Sequence, residues 1–436
     1  MHDFKSDSRF AGITPLASRA HLASPTMHDG AELKYMQAAY ESGWMTTVGE
    51  NIDAIEKTVA EYMNVKRAVA LVNGTAAIHL AVKLAALKLY NTSTGVNTPQ
   101  GLGAGGALLG KRVFCTDMTF DASVNPVVYE GAEPVFIDSE RETWNMDPEA
   151  LEKAFALYPD VKIVVFVHLY GVPGRIREIK KICEAHGALL IEDAAESLGT
   201  MADGVPAGSF GDYGIISFNG NKIITGSAGG MLLTHDDESA DRAKKWSTQS
   251  REDAPWYEHE ELGYNYRISN VVAGVIRGQW DFLAEHIARK KEIFERYKEG
   301  LKDLPLTVFG GGNYWLSCAL IDADAMEEHV RGDRAAVYQI EENKSCPTEL
   351  LEAMNAFNAE GRPIWKPMHL QPLYRNHEFI TTHGAVRGGS NAYIASEQHN
   401  GVTTDIFARG LCLPSDIKMS KEQQDVVIEV MRRCFQ

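Results

Sequence analysis

Residues 217–230 read SFNGNKIITGSAGG, and Lys222 stands between two turns of small and polar residues. A lysine in an enclosed site holds its proton less tightly and can attack a carbonyl; in the open it is a surface charge. Three other stretches bear on that choice. VNGTAAIHL (72–80) puts Gly74, Thr75 and Ala76 where a strand should turn into a helix. The first backbone N–H groups of a helix lack partners, and small side chains let a phosphate come close to them. The plainer alternative is that Thr75 caps the helix. IEDAAES (191–197) puts Asp193 at the end of an apolar run. A buried carboxylate there needs a cationic partner, such as a protonated pyridine nitrogen, unless it only caps the AAES turn. Ser217, five residues before Lys222, can turn its hydroxyl toward the same phosphate. Phe120, in TDMTFDASVN, offers a flat face after another strand.

Phosphate cradle, aromatic face, strand-end acid and lysine occur in that order along the chain. Together they answer the needs of pyridoxal phosphate.

The elements that must position them alternate. Short runs rich in Val, Ile and Phe are expected as strands: AVALV (68–72), RVFCT (112–116), EPVFID (133–138), KIVVFVHLY (162–170), ALLIED (188–193), YGIISF (213–218) and GGMLLT (229–234). Helical patterns such as GTAAIHLAVKLAALKLY and GRIREIKKICEAHG lie between some of them. Buried strands joined by helices mean a mostly parallel α/β sheet. From about residue 270, VVAGVIRGQWDFLAEHIARKKEIFERYKEGL reads as one long amphipathic helix leading to a smaller α+β domain. The expected division is an N-terminal segment 1–30, a large cofactor-binding domain 31–285 and a small domain 286–436.

Within the insertion 91–112, Gly101, Gly103 and Gly106 match G-x-G-x-x-G, and Gly105, Gly110 and Lys111 approach a phosphate loop. Neither follows a strand, and the second has Arg112 where a hydroxyl belongs. This reading therefore gives no nicotinamide-cofactor site; a surface loop is expected.

The net charge of −16 over 436 residues disfavours nucleic acid or an anionic membrane as a general partner. The six cysteines form no CxxC pair and no dense framework, as for reduced thiols in a cytoplasm. No metal site is expected. The polar N-terminus does not read as a secretory signal, and no run is long enough for a membrane span.

From about residue 22 onward the sequence resembles the DegT/DnrJ-type sugar aminotransferases, fold type I enzymes of pyridoxal phosphate. The resemblance is carried in order by NGTAAIHLA, VFIDSERETWNMDPEALEKA, HLYGVPG, IEDAAESLGT, GSFGDYGIISFNGNKIIT, GYNYRISNVVAG and RPIWKPMHLQPLY. Its nearest likeness is to enzymes that aminate UDP-4-keto-6-deoxy sugars in exopolysaccharide or bacillosamine-type pathways. The resemblance implies a seven-stranded-type, mostly parallel sheet between helices, plus the smaller domain. It implies pyridoxal 5′-phosphate as cofactor, with pyridoxamine phosphate as its aminated form. Gly74, Thr75, Ala76 and Ser217 would hold the phosphate. Phe120 would stack on the ring, Asp193 pair with the pyridinium and Glu196 lie near the ring hydroxyl. Lys222 would be the Schiff-base lysine and the base that moves the proton. Asn265 would reach the cofactor phosphate of a second subunit, making a homodimer with shared sites; Arg267 is a further member of that cluster.

Arg362, Trp365, Lys366 and His369 are candidates for the substrate's diphosphate and base. The implied reaction is ping-pong: L-glutamate gives its amine, and a nucleotide-linked keto sugar takes it at C4. Amination at C3 and a non-catalytic regulator of the same fold are the alternatives. Relatives that dehydrate the sugar carry histidine in place of the lysine. Two segments depart from the family pattern, the 91–112 insertion and residues 323–360, and both bear on the substrate mouth.

Overall fold

In a computed structural model, residues 2–91, 106–332, 335–387 and 401–436 are described. Seven strands follow the expected runs within a residue at either end, except that β4 stops three residues short of Tyr170: β1 (Arg67–Leu71), β2 (Arg112–Thr116), β3 (Glu133–Ile137), β4 (Ile163–Val167), β5 (Leu189–Asp193), β6 (Tyr213–Ser217) and β7 (Gly230–Thr234). Their spatial order is β1-β7-β6-β5-β4-β2-β3. Only β7 runs against its neighbours; the other six share one direction. Their carboxyl ends therefore open on one side, where ligands bind in such sheets.

The strands are buried on both faces because alternate residues enter different cores. On β2, Val113 and Cys115 pack with the helices Gly74–Tyr90 and Asp237–Ser247. Phe114, between them, packs with Pro148–Leu157 and Ile176–His186 on the other face. The helix Gly74–Tyr90 is apolar nearly all round and buried from Ala76 to Ala86, as a helix between a sheet and further helices must be.

The small domain has a four-stranded antiparallel sheet, in the order Leu306–Phe309, Ser317–Ile321, Gly410–Leu413, Arg362–Pro363. Its core takes in Phe4 and Phe10, so the N-terminal segment packs on the C-terminal part of the chain.

Two expectations need correction. A division at residue 286 assigns 378–387 to the small domain, but the strands Glu378–Thr381 and Gly384–Arg387 continue the large sheet beside β3, making it nine-stranded. The long helix expected after 270 is two, Asn270–Trp280 and Leu283–Gly300. The break falls at Asp281 and Phe282, where the Phe282 ring leaves the helical line to stack on His28, with centroids 3.7 Å apart.

Of the insertion 91–112, residues 92–105, including Gly101, Gly103 and Gly105, lie outside the described residues. Among those described, no helix is long and apolar enough to cross a membrane.

Candidate active site

A cavity of about 310 Å³ lies beyond the carboxyl ends of β5 and β6, and Gly74, Asp193, Ser217 and Lys222 all line it. Residues far apart in sequence meet there because the parallel strands end together.

Asp193 closes β5 and is 5% exposed. Ser123 Oγ donates to one carboxylate oxygen at 2.6 Å, and the Ala195 N–H to the other at 3.0 Å. Those donors offset the cost of burying the group and hold it at the cavity wall. Ser217 closes β6 opposite the start of the helix at Gly74. A methyl group added to Gly74 would lie 3.4 Å from Ser217 Cβ and 3.7 Å from its Oγ. The missing side chain therefore leaves a gap between a helix N-terminus and a hydroxyl, a cradle suited to a phosphate.

The helix cap is Asn73, not Thr75: its side chain accepts the Ala76 N–H at 2.7 Å. That N–H is thus engaged, and Ala76 does not line the cavity, whereas Gly74 and Thr75 do. The expectation that Ala76 helps bind phosphate is corrected accordingly.

Lys222 follows β6 through a tight turn, with its N–H on the Asn219 carbonyl at 3.0 Å. Its ammonium lies over the indole of Trp315, 4.3 Å from the ring centroid. Trp315 comes from the small domain, and no spacing pattern announced it. Glu196 is buried, accepting the Tyr170 N–H at 2.7 Å and Trp365 Nε1–H at 3.2 Å. Burial raises its pKa, outweighing the pull of the Lys222 charge. Tyr170, also unforeseen, adopts a left-handed backbone (φ 53°) and donates no ring to solvent; its hydroxyl accepts the Trp365 N–H at 2.9 Å. Phe120 lies at the cavity mouth, 57% exposed, with its ring 6.0 Å from that of Trp365.

These residues fit pyridoxal phosphate. There is a gap for the phosphate at Gly74 and Ser217, a fixed carboxylate at Asp193, an amine at Lys222 and an open aromatic face at Phe120.

The remaining candidates lie elsewhere. Asn265 is exposed and lines a separate cavity of about 570 Å³ with Thr47, Gly49 and Arg251. Arg267 borders the same cavity but is only 4% exposed; its guanidinium pairs with Glu56 and donates to the Ala70 carbonyl at 3.0 Å. Its charge serves the fold. Arg362 and Lys366 line a third groove, of about 610 Å³, which shares Trp365 with the Lys222 cavity. Arg362 is paired with Glu360 at 2.9 Å.

His369 was expected near the substrate and is instead fully buried. Asp117 takes both its backbone N–H, at 2.9 Å, and its Nδ1, at 2.7 Å, and its ring stacks on Phe379. Histidine here joins strand ends inside the core, so it is removed from the substrate set.

Comparison with known proteins agrees with this geometry. The model of the DegT/DnrJ/EryC1/StrS aminotransferase family matches residues 27–432. EpsN of Bacillus subtilis (strain 168), described as a pyridoxal phosphate-dependent aminotransferase, is 38% identical over 94% of this chain and 95% of its own. GDP-perosamine synthase of Vibrio cholerae is 32% identical over 80% and 85%. The crystal structure of a DegT DnrJ EryC1 StrS aminotransferase from Brucella abortus superposes with a TM-score of 0.73 at 24% identity, over 93% of this chain and 95% of that one.

Proposed function

The chain belongs to the DegT/DnrJ/EryC1/StrS aminotransferase family, and on that footing we propose that it moves the amino group of L-glutamate onto C4 of a nucleotide-linked 4-keto-6-deoxy sugar. UDP is the favoured carrier, and the product serves a surface polysaccharide or glycan. The enzyme is a pyridoxal phosphate-dependent sugar aminotransferase. The observation that supports amino transfer is the meeting of Lys222, Asp193, Ser217 and the Gly74 helix start on one cavity; the C4 position and the UDP carrier rest on the sequence resemblance.

When bound, the cofactor supplies an electron sink for the amino acid's Cα–H bond. The chain's residues supply the rest. Gly74, Thr75 and Ser217 would hold its phosphate, and Asp193 would pair with its protonated ring nitrogen. Lys222 would anchor it and act as the general base at the amino acid's Cα. Trp315 keeps that amine over the cavity. Glu196, held toward its neutral form by burial, faces the same space from the Tyr170 side.

Beyond Trp365, the groove with Arg362, Lys366 and Phe407 combines cations with an apolar lining. That combination suits a nucleoside diphosphate whose sugar enters the Lys222 cavity past the indole. The GDP sugar in the name of the Vibrio relative makes GDP the second carrier to test. Asn265, exposed and apart from Lys222, is read as reaching the cofactor phosphate of a second copy in a homodimer of the cytoplasm.

The test is incubation of the enzyme with pyridoxal phosphate, L-glutamate and a panel of UDP-, GDP- and dTDP-linked 3-keto and 4-keto sugars, read by mass spectrometry. A 4-amino sugar nucleotide with matching release of 2-oxoglutarate is expected. A 3-amino product would overturn the position, and no release of 2-oxoglutarate would overturn the activity.

A further inference from the structure

Behind the turn that carries Lys222 lies a buried chain of hydrogen bonds. It starts at Glu32 in the helix Ala31–Ser42 and is 4% exposed there. One arm runs through two histidines. Glu32 Oε1 lies 2.9 Å from His28 Nδ1, His28 Nε2 lies 2.9 Å from His286 Nε2, and His286 Nδ1 lies 2.7 Å from the Ile223 carbonyl. The other arm runs through Gln279. Its Nε2 donates to Glu32 Oε1 at 2.6 Å, and its Oε1 accepts the Thr225 N–H at 3.3 Å. Both arms end on the three residues that follow Lys222.

The partners order the protons. A carbonyl only accepts, so His286 Nδ1 carries a hydrogen. A neutral His286 then offers Nε2 as an acceptor, and His28 Nε2 must donate to it. Glu32 also accepts the His28 backbone N–H, at 3.1 Å to Oε2. Although burial raises its pKa, these donors hold it below the usual carboxylate value. It is therefore an ionised acceptor, and His28 Nδ1 donates as well. His28 carries two ring protons and His286 one. Burial, together with the charge of His28, keeps His286 below the usual histidine value and so neutral.

We propose that Glu32, His28, His286 and Gln279 form a proton-ordered clamp that positions Lys222 through the backbone of residues 223–225. The clamp rests on the reading of Lys222 as the cofactor-binding amine. Its members line no part of the 310 Å³ cavity that holds Asp193 and Ser217, so they are positioning residues. Gain of a proton by His286 sets two donors nose to nose. The clamp is therefore intact only while His286 stays neutral. The other charged groups around His286 are Glu285 and Lys290 on its own helix, and Asp416 and Lys222 across a cavity of about 20 Å³.

Two measurements test it. In the ¹⁵N-histidine spectrum of the holoenzyme at neutral pH, a ring with both nitrogens protonated is expected that vanishes in His28→Gln. In the glutamate half-reaction, Glu32→Gln and His286→Leu should lower kcat on the order of 10-fold to 100-fold, as misplacement of a reacting group does. KM should stay within about twofold, and the pH profile should lose the acid limb set by protonation of His286. His286→Asn, which keeps an N–H toward Ile223, should recover most of the rate. A neutral His28 ring in the wild type would overturn the clamp whatever the variants do. So would wild-type kcat and an unmoved pH profile in both variants. A wild-type enzyme inert toward glutamate would instead sink the functional reading, while the ring spectrum still decides the clamp.

Discussion

The Lys222 ammonium rests on the face of Trp315, and Trp315 is held from three sides. Its Nε1 donates to the Asn221 carbonyl at 2.8 Å, beside the lysine itself. Its backbone N–H donates to Asn313 Oδ1 at 2.9 Å, and its carbonyl accepts the buried Lys290 ammonium at 2.8 Å. Asn313 in turn donates to the Glu196 carbonyl at 2.9 Å. The small domain thus reaches under the amine and grips both the lysine turn and the segment after Asp193.

Truncating that support should show in stability and rate together. Trp315→Ala empties a fully buried site and should cost about 3–5 kcal/mol, as large aromatic truncations do. Trp315→Phe keeps a ring under Lys222 but loses the bond to Asn221, which is worth about 1 kcal/mol. Urea unfolding should rank the two in that order. The Phe variant should retain measurable amino transfer; an inactive Phe variant with wild-type stability would show that the indole N–H matters more than the ring.

Lys222→Ala should leave the fold unchanged, because the side chain is half-buried and fills no core position. The absorbance band of lysine-linked cofactor should disappear. Transfer should fall by at least about 10²–10⁴-fold, the worth of positioned proton transfer alone. Circular dichroism and single-turnover kinetics on the same sample check both halves. Turnover of glutamate at the wild-type rate would contradict the assignment.

Gly74→Ala separates folding from cofactor binding. The added methyl meets Ser217 at ordinary contact distance, 3.4 Å, so it folds without clash. Alanine also favours a helix over glycine by up to about 1 kcal/mol. The melting temperature should hold or rise, while affinity for pyridoxal phosphate falls roughly tenfold, about 1.4 kcal/mol, as the phosphate gap closes. Equilibrium titration of the apoenzyme reads the second effect. Unchanged affinity would move the phosphate away from this cradle.

What the sequence announced was local. The strands were legible because Val, Ile and Phe run together in RVFCT and KIVVFV, and Asp193, Ser217 and Lys222 because each follows such a run. Trp315 and Tyr170 were not legible, since their roles arise from contacts across domains that no spacing encodes. His369 misled for the same reason: in HLQP it reads as a polar group near a basic cluster, yet Asp117 draws it into the core. The Asn73 cap was missed two residues before the expected Thr75, although asparagine is the stronger capping residue of the two. The break at Phe282 was hidden because its apolar ring fits the helical period while packing on His28 instead.

Asp138 makes stability depend on pH in a direction opposite to most carboxylates. It ends the strand run of β3 and accepts the N–H groups of Ser139, Val402 and Thr403 at 2.8–3.0 Å, tying the large sheet to the helix Val402–Arg409. Burial outweighs those bonds, and with the charge of Asp117 added its pKa rises to about 6 from 3.8. Below 3.8 the folded and unfolded chains both hold the proton. Between 3.8 and about 6 only the folded chain does, so stability falls as pH rises and this contribution is gone above about 6. The shift corresponds to roughly 3 kcal/mol. Asp138→Asn, neutral throughout, should lose that dependence. Unfolding free energies from urea titration should therefore fall between pH 4 and pH 7 by roughly 2–3 kcal/mol more in the wild type than in the variant. The same difference at both pH values would show that Asp138 stays ionised and that its three N–H partners, not burial, set its charge.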